Sequence, residues 1–389
     1  MTKKPSSLGY ALLAYFSFVV CLITLLPFRF HWSGTVGIFL KWEWLDVILN
    51  VILFFPLGFL FRLTQQKEAG QERIRVLIYG FLGSGCLEIV QVFEIDRFSS
   101  PWDVMANSFG AWVGALFFDK VKNQLNRQMV SRFALELPLM SLFYLLGPLL
   151  WINGLSTGKD TTHLFLAPFI GLFGACIIAS VWAYKLKQRR VVSANLVALV
   201  TGMWFLGASL PGLIKNPIFF FSCGIVITLF VRVLVAVLRN FDEKERRFEF
   251  ATLKWIWPIY VIYVFLLAFW PWMRPDVLWK GSVGFVVVHY ASGDEILRVV
   301  EYLLVFTLLG YMIAEARGRK KETFRISMIW VLLFCSVISS ILELARGFHP
   351  KHTASLIHLV ISIGVGLYGG MLYRLQRNAI QRLIRGGVP

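Results

Sequence analysis

Charge is scarce in this sequence, and acidic charge scarcer still. Only 16% of its 389 residues are Asp, Glu, Lys or Arg, and 39 basic side chains face 22 acidic ones, where a soluble domain carries about a quarter charged residues. Cysteine is rare as well: Cys21, Cys86, Cys176, Cys223 and Cys335 all fall within apolar runs, with no CxxC pair among them. They read as core or lipid-facing residues. No P-loop, HExxH or GxSxG stands where it could work, which weighs against an ATP-driven pump or a familiar hydrolase. Nothing in the sequence calls for a cofactor.

What fills the chain instead is apolar: 57% of residues are hydrophobic and the mean hydropathy is +0.68. Runs of about twenty such residues recur from end to end, each enough to cross a bilayer. The expected fold class is all-α, a polytopic helical membrane protein of about 12 transmembrane helices. Their spans are 8–28, 44–61, 76–95, 102–118, 133–152, 163–184, 191–213, 217–238, 255–273, 294–314, 326–345 and 355–373. The first follows a short basic leader without a small-residue cleavage site, so it is expected to be retained.

The formal net charge of +17 would suit nucleic acid only if the basic residues gathered on one soluble face. They lie instead in short loops at every second turn, most of them on one side if the amino terminus is inside. By the positive-inside rule both termini are then cytoplasmic and the protein sits in the cell membrane. Trp32, Trp42 and Trp44 look like an interfacial aromatic belt.

Polar groups within this apolar background mark the candidate site. Ser84, Glu88 and Gln91 follow spacings of four and three on the third helix, and Asp103, Asn107 and Gly110 do the same on the fourth, with Arg97 in the turn between. Asp46 and Asn50 sit near the same end of the second helix, where Pro56 and Gly58 are expected to produce a kink. Buried polar groups in a membrane cost several kcal/mol unless partnered. Asn50, Glu88, Gln91, Arg97, Asp103 and Asn107 are therefore ligand-binding candidates at the extracytoplasmic face. A structural account stays open beside this one, with Glu88 paired to Arg97 and Asp103 capping the fourth helix. Pro56, Gly58, Gly110 and Gly114 are structural candidates, the last two forming a GxxxG that favours close helix packing.

Three blocks divide the chain: a four-helix unit over 1–127, a middle block of four helices over 128–254, and a last unit over 255–389 that repeats the first in parallel orientation. A shift of 255 residues lays Ser84 on Ser339, Glu88 on Glu343, Gln91 on Arg346, Ser100 on Ser355, Asp103 on His358, Asn107 on Ser362 and Gly114 on Gly369. A shift of 252 lays Gly58 on Gly310. The second GxxxG, Gly366 to Gly370, lies one residue out of that register. Glu343, Arg346, His352 and His358 are the second-copy candidates. Together with His349 they match no standard zinc-ligand spacing, so no metal is expected. Asp294, Arg298 and Glu301 could form an ion-pair ladder along the tenth helix.

At NVILFFPLGF (50–59), LEIVQVF (87–93) and RFSSPWDVMANSFGAWVG (97–114) the chain resembles the VanZ-like membrane family, over about the first 125 residues. The carboxyl-terminal copy is similar but degenerate. The family takes its name from a member linked to teicoplanin resistance, and the resemblance implies a multi-pass bacterial protein acting on or near envelope material, without naming a reaction. It leads to the expectation that the first unit binds, presents or moves a polar envelope component, either a lipid-linked saccharide or an anionic lipid headgroup. Alternatives are a membrane-embedded transferase or hydrolase using Glu88 and Asp103, and a scaffold for envelope-biosynthesis proteins. The expected partners are membrane lipids or a lipid-linked precursor rather than nucleic acid.

Overall fold

The computed structural model describes residues 7–25, 30, 43–65, 69–94, 99–124, 142–156, 164–188, 193–239, 248–269, 278–282, 293–320, 323–348 and 353–384. Arg97, His349 and His352 lie outside them, as do Trp32 and Trp42. Among the described residues the helices are α1 (Ser7–Thr24), α2 (Trp44–Thr64), α3 (Ala69–Gln91), α4 (Pro101–Gln124), α5 (Leu142–Ser156), α6 (Leu166–Gln188), α7 (Ala194–Ala208), α8 (Leu210–Lys215), α9 (Pro217–Arg239), α10 (Phe248–Phe269), α11 (Gly293–Arg319), α12 (Phe324–Arg346) and α13 (Leu356–Ile384). Two short strands, β1 (Gly281–Ser282) and β2 (Ala354–Ser355), pair in parallel. The protein is a helical membrane protein: seven of these helices are long and apolar enough to cross a bilayer, and α5, α7 and parts of α6 and α10 are shorter apolar helices. Helix α4 is not among the seven, because Asp103, Asn107 and Ser108 dilute its amino-terminal turns.

Each expected span has a helical counterpart, with one break. The seventh, expected over 191–213, divides into α7 and α8 at Ser209, whose backbone leaves the helical region (φ −100°, ψ 22°). Pro211 explains the break: it offers no amide to the preceding turn and its ring crowds the carbonyl four residues back. Other boundaries move outward where charge is satisfied on the helix. Helix α3 begins about two turns early, at Ala69, and Arg75 pairs with Glu72 there at 2.8 Å.

The chain packs as two compact units. One contains residues 1–134 with 288–297 and 374–389, the other 135–287 with 298–373. In the first, α2 and α4 run parallel in close contact. A Cβ added at Gly58 would overlap the Ala111 carbonyl oxygen, one at Gly110 the Val51 oxygen, and one at Gly114 the Phe55 oxygen. Glycine lets the two backbones touch, and the GxxxG of α4 lies on that seam. Pro56 sits inside α2, which continues through it to Thr64. Helix α3 lies antiparallel to α4, with Gly80 against Ala111 and Ser108.

The second unit has a dense core of Leu145, Leu146, Leu149 and Ile152 from α5, Phe173 from α6, Phe205 from α7, Phe220 from α9, Tyr260 and Tyr263 from α10, and Phe306 and Tyr311 from α11, all essentially inaccessible. Helix α11 is its central rod: 83% of its apolar span is buried, against 28% for α12. The Tyr260 hydroxyl donates to the Val305 carbonyl at 2.6 Å, tying α10 to α11.

Candidate functional site

The helix directions bring the polar candidates of the first unit to one end of it. The amino-terminal halves of α2 and α4 meet the carboxyl-terminal turns of α3 and α1 there. Glu88, buried, accepts the backbone amide of Ser100 on its Oε2 at 2.9 Å. Ser100 in turn caps α4, its hydroxyl accepting the Trp102 amide at 3.3 Å. The cap of α4 is thus Ser100, and Asp103 stands half-buried in the first turn, where its carboxylate meets the positive end of the helix dipole. Gln91 donates from Nε2 to the Thr24 carbonyl at 2.7 Å, fastening α1 to α3. Asn107 donates from Nδ2 to the Ser84 hydroxyl at 2.8 Å across α3 and α4.

One atom of this set has no hydrogen-bond partner among the described residues, the Oδ1 of Asn107, in a side chain 3% exposed. Asn50 is half-buried on α2, next to Val51, which touches Gly110 on α4. Asp46 is exposed a turn nearer the helix start, and Trp44, at the first position, is also exposed. The arrangement therefore grades from exposed Asp46 through half-buried Asn50 and Asp103 to buried Asn107. Among the described residues it offers carboxylates and amides rather than cations to a ligand.

The opposite end of the unit holds an ion network that sequence reading missed. Asp119 on α4 receives the Arg62 Nε at 2.9 Å on one oxygen and the Arg73 Nε at 2.8 Å on the other. Arg62 is 2% exposed and Asp119 8%. Their separation of 57 residues left no sequence signal, because the pair depends on α2 and α4 being parallel and in contact.

In the second unit Glu343 accepts the Ser355 amide at 2.8 Å and the Arg346 Nη1 at 3.1 Å, and His358 Nδ1 lies 3.8 Å from the same carboxylate and 3.5 Å from Arg346. Three of the four second-copy candidates are therefore together; the fourth, His352, lies outside the described residues. Glu301 accepts from the Ser156 hydroxyl of α5 at 3.3 Å, a contact that an ion-pair ladder within α11 did not anticipate. The side chains of Asp294 and Arg298 lie outside the described residues. The glycines of the second GxxxG pack closely against neighbouring helices. Gly366 and Gly370 face α12, at Cys335 and Met328, while the counterpart of Gly114 is Gly369, whose Cβ would overlap the Thr307 oxygen on α11. Among the described residues no group of three His, Cys, Asp or Glu side chains could hold a metal ion.

Residues 4–122 match the family model described as VanZ/LLP1. The chain carries a VanZ-like amino-terminal segment. That segment spans α1 to the last turns of α4, so it takes in the Glu88–Ser100 clip, the Asn107–Ser84 bond and the Asp119 network. Comparison with curated proteins and with solved structures gives no match for the chain.

Proposed function

We propose that the VanZ-like segment binds the hydroxyl-bearing headgroup of a cell-envelope component, a lipid-linked saccharide above all, and presents or moves it at the outer face of the cytoplasmic membrane. The outward direction of the site rests on the basic residues, which crowd the loops at the opposite end and so belong on the cytoplasmic side with both termini.

The observation that carries this reading is the partnerless Oδ1 of Asn107. A buried carbonyl without a donor costs about 1–3 kcal/mol, and a ligand hydroxyl reaching it would remove that cost. Asp46 and Asp103 stand nearer the starts of their helices than Asn50 and Asn107 do; the two carboxylates accept hydrogen bonds from sugars and repel anions, so among the described residues this end suits a neutral polyhydroxy group better than a phosphate. Glu88 is engaged with the Ser100 amide, which supports a holding role for it rather than acid or base work.

The test is native mass spectrometry of the full-length protein purified in mild detergent. Wild type is expected to carry a glycolipid adduct that Asp103→Asn and Asn107→Leu both lose while their melting profiles remain cooperative. A wild-type protein without any adduct, or an adduct undiminished in both variants, overturns the reading.

A further inference from the structure

Within the second unit, α11, α12 and α13 repeat glycine contacts made by α2, α3 and α4 in the first. A Cβ at Gly310 would overlap the Gly366 carbonyl oxygen, as one at Gly58 would overlap that of Ala111. A Cβ at Gly369 would strike the Thr307 oxygen and come within 2.9 Å of the Tyr311 nitrogen; at Gly114 it would strike the Phe55 oxygen and come within 2.9 Å of the Phe59 nitrogen. The carboxylate clip recurs too, with Ser355 on Glu343 matching Ser100 on Glu88. These equivalences pair Asn50, Ser84, Glu88, Gln91, Asp103 and Asn107 with Tyr302, Ser339, Glu343, Arg346, His358 and Ser362. Six polar positions of one site thus have six counterparts, and four of them have changed chemistry.

Two of the changes add basic nitrogen, Gln91 to Arg346 and Asp103 to His358. Where Asn107 spans to Ser84, the second unit has two short hydroxyls, Ser339 and Ser362, both fully buried and both without a hydrogen-bond partner among the described residues. The contacts of Glu343 with His358 on one side and of Cys335 with Gly366 on the other bracket them on antiparallel α12 and α13. A serine is shorter than an asparagine by an amide group, so the bridge that Asn107 makes to Ser84 in the first unit has no equivalent here. About two turns along α12 from Ser339 stands Arg346, 3% exposed, its guanidinium 4.1 Å from the centroid of the Tyr302 ring and its Nε without a partner among the described residues. Glu343 holds Nη1 and takes the Ser355 amide, so its own charge is already met.

We propose that this second unit binds a phosphate group, as a phospholipid headgroup or as free phosphate. Arg346 is the anchor, held flat on Tyr302 and oriented by Glu343. His358 beside it adds a second nitrogen, and the Ser339 and Ser362 hydroxyls receive the oxygens that reach deeper. A buried, preoriented guanidinium gives phosphate its strongest hydrogen bonds, and partnerless hydroxyls complete the shell. The two units then divide their ligands by chemistry, acceptors for a neutral headgroup in the first and donors for an anion in the second. This site stands apart from the one in the VanZ-like segment.

The experiment uses the full-length detergent-solubilised protein and two probes, inorganic phosphate and dioctanoyl phosphatidic acid, with dioctanoylglycerol as the control of equal chain length. Binding is read by calorimetric titration. Phosphatidic acid is expected to bind and dioctanoylglycerol not to; binding of inorganic phosphate as well shows that the anion alone suffices, and its failure assigns the site to a lipid headgroup. Two variants borrow side chains that the first unit already accommodates at the matched positions. R346Q removes the guanidinium, and S362N restores an amide able to bridge to Ser339. Both are expected to lower phosphatidic acid affinity at least tenfold, S362N with an unliganded melting temperature equal to or above wild type, while R346Q keeps the adduct of the first unit. Should R346Q fail to fold, S362N decides alone. A wild type that binds neither probe, or wild-type affinity in S362N, overturns the proposal.

Discussion

The Glu88 carboxylate accepts the backbone amide of Ser100 at 2.9 Å, fastening the outgoing helix to the residue that caps the returning one. Glu88→Ala leaves that buried amide without its acceptor and is expected to cost about 1–3 kcal/mol. Glu88→Gln keeps an oxygen for the amide and is expected to lose less than half as much. Denaturant titration in micelles checks the order; equal losses would show that the charge, rather than the acceptor, holds the clip.

Asp119 neutralises Arg62 where neither touches much solvent. Asp119→Ala strands a buried guanidinium and is expected to cost about 3–5 kcal/mol, whereas Arg73→Gln, at a side chain 37% exposed, is expected to cost at most about 1 kcal/mol. Melting temperatures of the two variants give the comparison, and a mild Asp119→Ala would mean the cluster takes in water.

Gly58 and Gly310 have carbonyl oxygens where a side chain would go, while Gly83 and Gly364 face open space. Alanine at either of the first pair is expected to force the helices apart and cost about 1–3 kcal/mol or more. At either of the second pair it is expected to be neutral or to add up to about 1 kcal/mol through helix propensity. Thermal unfolding of the four single variants separates close packing from propensity.

Gln91 reaches the Thr24 carbonyl and so holds the end of α1. Gln91→Leu is expected to loosen that end alone, raising amide hydrogen exchange over 20–25 at least tenfold while exchange in α4 stays as in wild type. Unchanged exchange at 20–25 would show that apolar packing of α1 suffices.

The apolar runs placed the helices in order here, because a segment of the chain crossing hydrocarbon must satisfy its own backbone. The local spacing of Ser84, Glu88 and Gln91 also placed them on one face, since that needs only the pitch of a helix. Neither the break at Ser209 nor the early start of α3 followed from hydropathy, because the first comes from a proline ring and the second from charges satisfied across the turn. Partners lay further still from the sequence. That Glu88 clasps an amide, that Gln91 holds α1, and that Asp119 binds Arg62 all depend on which helices lie side by side and which way they run. The sequence by itself determined the elements and the polar positions they carry. Only the tertiary structure decided which of those positions satisfy one another and which, Asn107, Ser339, Ser362 and Arg346, are left with a buried atom and no partner among the described residues, because hydrogen bonding is a relation between chains of atoms far apart in sequence and its range is a few ångströms.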